Sequence, residues 1–121
     1  MKVTWFEIPV KDMDRAISFY EEIFEISIAQ HQFGDTLMGW LPPSGEEGAA
    51  TGTLILQESY IPSKEGVLLY FETSVITLVL ERVSDRGGQV ILEKRQISET
   101  HGYMGVFIDS EGNRIALHSV A

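Results

Sequence analysis

The sequence predicts an α+β fold made of two βαβββ modules, and three observations carry that reading. A strand-like alternation from Val3 to Ile8 is followed by a helix of clear 3.6-residue rhythm and then by three short strand-like runs. The same order returns after the linker Ile61-Pro62-Ser63-Lys64-Glu65-Gly66. Each helix also carries a boundary signal, Asp12 at the start of the first and Gly87-Gly88 at the end of the second.

In the first segment Val3, Trp5 and Glu7 share one face and Thr4, Phe6 and Ile8 the other, and Pro9 closes the strand. Asp12 is placed to accept an amide proton of the first helical turn, and Asp14 suits the positive helix end. Met13, Ala16, Ile17, Tyr20, Ile23 and Phe24 then form one apolar stripe, with Arg15, Glu21, Glu22 and Glu25 facing water. Strands are expected near Ser27 to Phe33, Thr36 to Leu41 and Thr51 to Gln57, separated by Gly34-Asp35 and by the loose run Pro42 to Gly48. The second module should hold a strand from Val67 to Phe71, a helix from Ser74 to Arg86, and strands at Gln89–Leu92, Tyr103–Asp109 and Asn113–His118. Setting Val75 against Asp12 aligns the copies, with Leu68 matching Trp5 and Tyr70 matching Glu7. The run Val75-Ile76-Thr77-Leu78-Val79-Leu80 is unusually apolar for a surface helix. Either a partner subunit covers part of it, or Thr73 or Ser74 caps an ordinary core helix.

At 121 residues and 44% hydrophobic composition, the chain has the size of a single domain, with module one at about residues 1–60 and module two at about 66–121. The absence of cysteine excludes disulfides, thiolate metal sites and thiol nucleophiles. No signal-like segment and no long apolar run occurs, so a cytoplasmic location without membrane association is expected. A net charge of −9 repels phosphate backbones and makes nucleic acid an unsuitable partner, while a neutral or cationic small-molecule ligand is compatible with it.

Two stretches, Trp5 to Tyr20 and Phe107 to His118 with its Asp109-Ser110-Glu111-Gly112-Asn113-Arg114 turn, resemble the vicinal-oxygen-chelate superfamily. That superfamily includes glyoxalase I, extradiol dioxygenases, fosfomycin-resistance thiol transferases and bleomycin-resistance proteins. Tyr60-Ile61-Pro62-Ser63 and the Ile115 to Ser119 ending look closest to a subgroup described as related to lactoylglutathione lyase. The resemblance implies two curled mixed sheets around a central cleft, and a homodimer.

In metal-dependent members a His of the first strand and a Glu of the last help to hold a divalent cation. The matching positions here are Trp5, Leu56 or Gln57, Leu68 or Val67, and Ala116, so no cofactor is expected and lactoylglutathione lyase activity should be absent. A displaced metal is the sharper alternative. Strand alternation sets Glu7 beside Trp5, Tyr70 and Glu72 beside Leu68, and His118 beside Ala116, and Glu7, Glu72 and His118 would make a two-carboxylate, one-histidine set. His31 and His101 lack paired metal-motif spacing and read as surface residues.

Two functions of different class remain open. One is binding without chemistry, with Trp5, Met38, Trp40, Gln57, Leu68, Tyr70, Met104 and Ala116 as ligand-facing positions and Glu7 and Glu72 as charges for a cation. The other is a metal-independent isomerase, epimerase or lyase in which Glu7 and His118 act as the catalytic acid and base. A regulatory or structural dimer with a filled cavity is the third possibility.

Overall fold

The structure is a computed structural model that describes residues 1–121. It divides into two compact units, Met1–Pro62 and Ser63–Ala121. Each holds one four-stranded mixed sheet and one helix, and no helix is long and apolar enough to cross a membrane.

The first unit runs β1 (Trp5–Pro9), α1 (Met13–Phe24), β2 (Ala29–Phe33), β3 (Thr36–Trp40) and β4 (Thr51–Leu56), with sheet order β1-β4-β3-β2. β1 begins at Trp5 rather than Val3 because its parallel partner β4 begins opposite it, at Thr51. Asp12 caps α1 as expected, its Oδ1 accepting from Arg15 N at 3.0 Å. The buried stripe of α1 is Met13, Ala16, Phe19, Tyr20 and Ile23. Phe19 also lies on it, at the edge of the stripe, since at about 100° per residue it falls about 40° beyond Ile23. Each large side chain fully buried this way contributes roughly 1.5–3 kcal/mol.

The second unit runs β5 (Leu69–Glu72), α2 (Ile76–Asp85), β6 (Gln89–Ser98), β7 (Gly102–Ile108) and β8 (Arg114–Ser119), in the equivalent order β5-β8-β7-β6. The repeat read from sequence therefore holds at the level of topology. It also holds in packing. A side chain added at Gly39 of β3 would meet Met13 and Ile17 of α1, and one added at Gly105 of β7 would meet Ile76 and Leu80 of α2. Those helix residues are the ones paired when Val75 is set against Asp12, and in both units a glycine lets the helix lie close over the sheet.

Three departures from the sequence reading have local causes. β6 continues to Ser98, not Leu92, because register shifts between Val90 and Leu92, Leu92 and Arg95, and Gln96 and Ser98 break the alternation that marks a strand. Its charged run Glu93-Lys94-Arg95 suits a sheet edge. α2 begins at Ile76 with Val75 at its N-cap and no side-chain cap. Thr73 Oγ1 instead accepts from Val75 N at 3.2 Å, one step too early to cap the helix. Leu68 precedes β5, and Val67 is fully exposed outside it.

The Asp109 turn that carries much of the family resemblance is a structural latch. Buried Asp109 accepts through Oδ1 from Glu111 N and Asn113 N, both at 2.9 Å, and through Oδ2 from Asn113 Nδ2 at 3.1 Å. Asn113 Oδ1 in turn accepts from Ser63 N, tying the start of the unit to its last hairpin.

Candidate functional site

Because Gly39 faces α1, the alternate residues of its sheet face the other way. Strand pairing sets Trp5 and Glu7 of β1, Thr53 of β4, Met38 and Trp40 of β3, and His31 and Phe33 of β2 on that second face. Trp5 and Trp40 meet edge to face at 5.6 Å, His31 meets Trp40 the same way at 5.3 Å, and the His31 and Phe33 rings lie tilted to each other at 6.3 Å. The stripe is open, with Trp5, Trp40 and Phe33 exposed by 38%, 43% and 54%. Glu7 is exposed beside it and Met38 half-buried within it.

In the second sheet the face opposite α2 carries different chemistry. Glu72 of β5 lies opposite His118 of β8, His118 opposite Met104 of β7, and Met104 opposite Arg95 of β6. Tyr70 lies opposite Ala116, which is fully buried between Tyr70 and Val106. His118 Nε2 donates to the His101 carbonyl oxygen at 2.7 Å. A carbonyl only accepts, so Nε2 carries the hydrogen, and a neutral ring in this position has its lone pair on Nδ1. Tyr103, one residue from Met104, points to the α2 side of the sheet, where Lys94 Nζ sits 4.7 Å from its ring centre.

Trp5, Met38, Trp40 and Glu7 thus come together on the first sheet, and Tyr70, Glu72, Met104, Ala116 and His118 on the second; Glu7 and His118 belong to different units. Gln57 joins neither group. Its amide oxygen accepts from Ser59 N at 2.6 Å and from Ser59 Oγ, and it lines a separate groove of about 450 Å³ with Val10, Leu37, Leu56, Tyr60 and Ile61.

Sequence reasoning missed His31 and Phe33 as parts of the stripe and His101 as the partner of His118. The first omission was avoidable. The two-residue turn Gly34-Asp35 fixes Phe33 opposite Thr36 and hence His31 opposite Met38. The second was not, because the His101 contact is made by its backbone carbonyl.

The residues present do not fit the divalent metal that the resemblance implies. Indole, methyl and aliphatic side chains stand at Trp5, Ala116, Leu56 and Leu68, and the one amide, on Gln57, is engaged by Ser59. Nor do any three His, Asp or Glu side chains gather where they could hold a metal ion.

The family model described as Glyoxalase/Bleomycin resistance protein/Dioxygenase superfamily matches residues 2–117. No curated protein sequence matches the chain. Among solved structures, a mutant of glyoxalase I from Zea mays superposes with TM-score 0.76 at 16% identity, over 97% of this chain and 46% of the maize chain, so this chain spans just under half of that protein's length. A glyoxalase/bleomycin resistance protein/dioxygenase family enzyme from Burkholderia phytofirmans gives 0.71 at 15% identity, with both chains fully covered. An antibiotic-binding protein from a Streptomyces species gives 0.65 at 22% identity, over 100% of this chain and 97% of that one. Identities this low establish shared fold, and the match over residues 2–117 establishes descent: the chain belongs to the Glyoxalase/Bleomycin resistance protein/Dioxygenase superfamily.

Proposed function

We propose that the protein binds a small aromatic or cationic molecule against the Trp5–Trp40–His31 stripe of the first sheet, without a resident metal, as a cytoplasmic homodimer. The observation that carries this reading is the stripe itself, in which Trp40 braces Trp5 and His31 edge to face while all three rings stay more than a third exposed. Rings ordered in advance lose little side-chain freedom when a ligand stacks on them. Indole faces attract cations, and Glu7 on the same face adds a negative charge. The Streptomyces relative, described as antibiotic-binding, shows that the fold accommodates binding without naming this protein's ligand. The exposed Val75 and Leu78 on α2 support a subunit contact there.

The chain has two tryptophans, both on this face, so intrinsic fluorescence reports the site directly. Titration with aromatic cations and polycyclic antibiotics should give saturable quenching together with a raised melting temperature. The reading fails if no compound does both, or if quenching by a hit is unchanged in Trp40→Ala. Sedimentation at a single chain mass at micromolar concentration would remove the dimer.

A second reading, a metal-independent isomerase, epimerase or lyase step with His118 as its base, is favoured by one observation: Nδ1 of His118 has no protein partner and is chemically able to act as a base. Its check is solvent deuterium exchange next to the carbonyl of α-hydroxy ketones and α-keto acids. Exchange that survives His118→Asn rules this reading out.

A further inference from the structure

We infer that Glu72 and His118 form a second binding site, on the second sheet, that accepts hydrogen bonds from the protonated amine of a ligand, with the His101 carbonyl as the group that sets its polarity. The inference goes beyond the aromatic stripe and does not depend on it.

Four observations build the site. The first is register: Glu72 and His118 are direct cross-strand partners on the face turned away from α2. Side chains so placed start roughly 5 Å apart and can reach a common ligand atom. The second is polarity. With its Nε2 hydrogen given to the His101 carbonyl at 2.7 Å, the ring of His118 offers the site an acceptor at Nδ1. The third is that the Glu72 carboxylate is exposed, takes no hydrogen bond from the protein, and is itself only an acceptor. Two adjacent acceptors without a donor between them are complementary to an ammonium group, which carries three donors and the opposite charge. Of the two arginines on this face, Arg95 is separated from His118 by Met104 and by a full strand, and Arg114 lies four residues back along β8, where its guanidinium donates to the Gly66 carbonyl oxygen at 3.5 Å.

The fourth observation concerns the carbonyl. His101 N donates to Ser98 Oγ at 3.0 Å, and the His101 ring sits 2.8 Å from Ser98 Oγ and 3.0 Å from Thr100 Oγ1. Gly102 follows at φ +75°, so close to Ser119 O that a side chain there would collide with it. The turn is therefore pinned against the end of β8, and it holds the carbonyl in place over His118. His101 is a positioning residue acting through its backbone. Tyr70, exposed on the same face two residues before Glu72, supplies a flat wall for the substituent of the amine.

The test uses the full-length protein labelled with ¹⁵N-histidine and two probes, 2-phenylethylammonium and its N,N,N-trimethyl analogue. These share charge and ring, but only the first has N–H donors. Long-range ¹H–¹⁵N spectra should show His118 as the Nε2–H tautomer before any ligand is added. The primary ammonium should then move the His118 Nδ1 resonance saturably, the trimethyl analogue should leave it in place, and Glu72→Gln should weaken the response about tenfold. A Nδ1–H tautomer, no response to the primary ammonium, equal responses to both probes, or an unchanged affinity in Glu72→Gln would each overturn the inference. Tryptophan quenching reads the first sheet separately, so failure at one site is distinguishable from failure at the other.

Discussion

The two units share one topology and differ in nearly everything that topology leaves free. On the face turned from its helix, the first sheet presents rings, Trp5, Trp40, His31 and Phe33, while the second presents hydrogen-bonding groups, Glu72, His118 and Arg95. The connection before the last strand differs as well. In the first unit residues 41–50 form an exposed loop held by few bonds, such as Glu46 N to Ser44 Oγ. In the second, residues 109–113 close tightly around buried Asp109. Even the helices are complementary in their weak ends. α1 has a good N-cap in Asp12 but ends on Glu25 in the left-handed region at φ 53°, whereas α2 starts uncapped at Val75 and ends well, with Gly87 at φ +96°. Duplicated topology therefore constrains the helix–sheet core, where Gly39 and Gly105 do the same job, and leaves each open face, turn and cap free to diverge.

The largest expected effect tests the turn. Asp109→Ala strands three buried donors and should cost about 3 kcal/mol in urea denaturation; a loss under about 1 kcal/mol would show that the latch is dispensable. Next comes the aromatic face. Trp40→Ala should lower the affinity of any quenching ligand at least about tenfold, or about 1.4 kcal/mol. Its cost in stability should stay near about 1 kcal/mol, the scale of one lost aromatic pairing. Parallel losses in affinity and melting temperature would instead make the stripe structural.

The helix ends offer smaller and opposite effects. Val75→Asp installs on α2 the cap that Asp12 gives α1, and Glu25→Gly removes a side chain from the left-handed position; each should stabilise by about 0.5–1 kcal/mol. A melting point lowered only for Val75→Asp, and only at concentrations where the chain self-associates, would place Val75 in a subunit contact. Smallest of all, deleting Glu46 and Glu47 from the exposed 41–50 loop should change stability by less than about 0.5 kcal/mol, because loop-closure entropy varies slowly with length.

Much of the fold was legible in the chain. Asp12 followed by apolar residues at helical spacing located α1, and the offset that aligns Val75 with Asp12 pairs Met13 with Ile76 and Ile17 with Leu80, the residues that cover Gly39 and Gly105. The far half of β6 is not legible in the chain, because bulges destroy the period by which strands are recognised. Of the candidate site, the facing of Trp5, Glu7, Tyr70, Glu72 and His118 followed from alternation within their own strands. Gln57 stands beside them only through the family resemblance, which matches Leu56 or Gln57 to a metal-holding position, and its amide is occupied by Ser59.

The sequence by itself determined the element order, the two faces of each strand, and the lack of imidazole or carboxylate at Trp5, Leu68 and Ala116, because residue identity and backbone rotation per residue are local properties. Only the tertiary structure decided which side chains became neighbours across strands, as with His31 against Trp40 and Glu72 against His118. Register is set between segments far apart in the chain, and a one-residue slip would send every side chain to the opposite face. The tertiary structure alone also gave His118 its polarity, since the group responsible is the backbone carbonyl of His101, which every residue type carries alike.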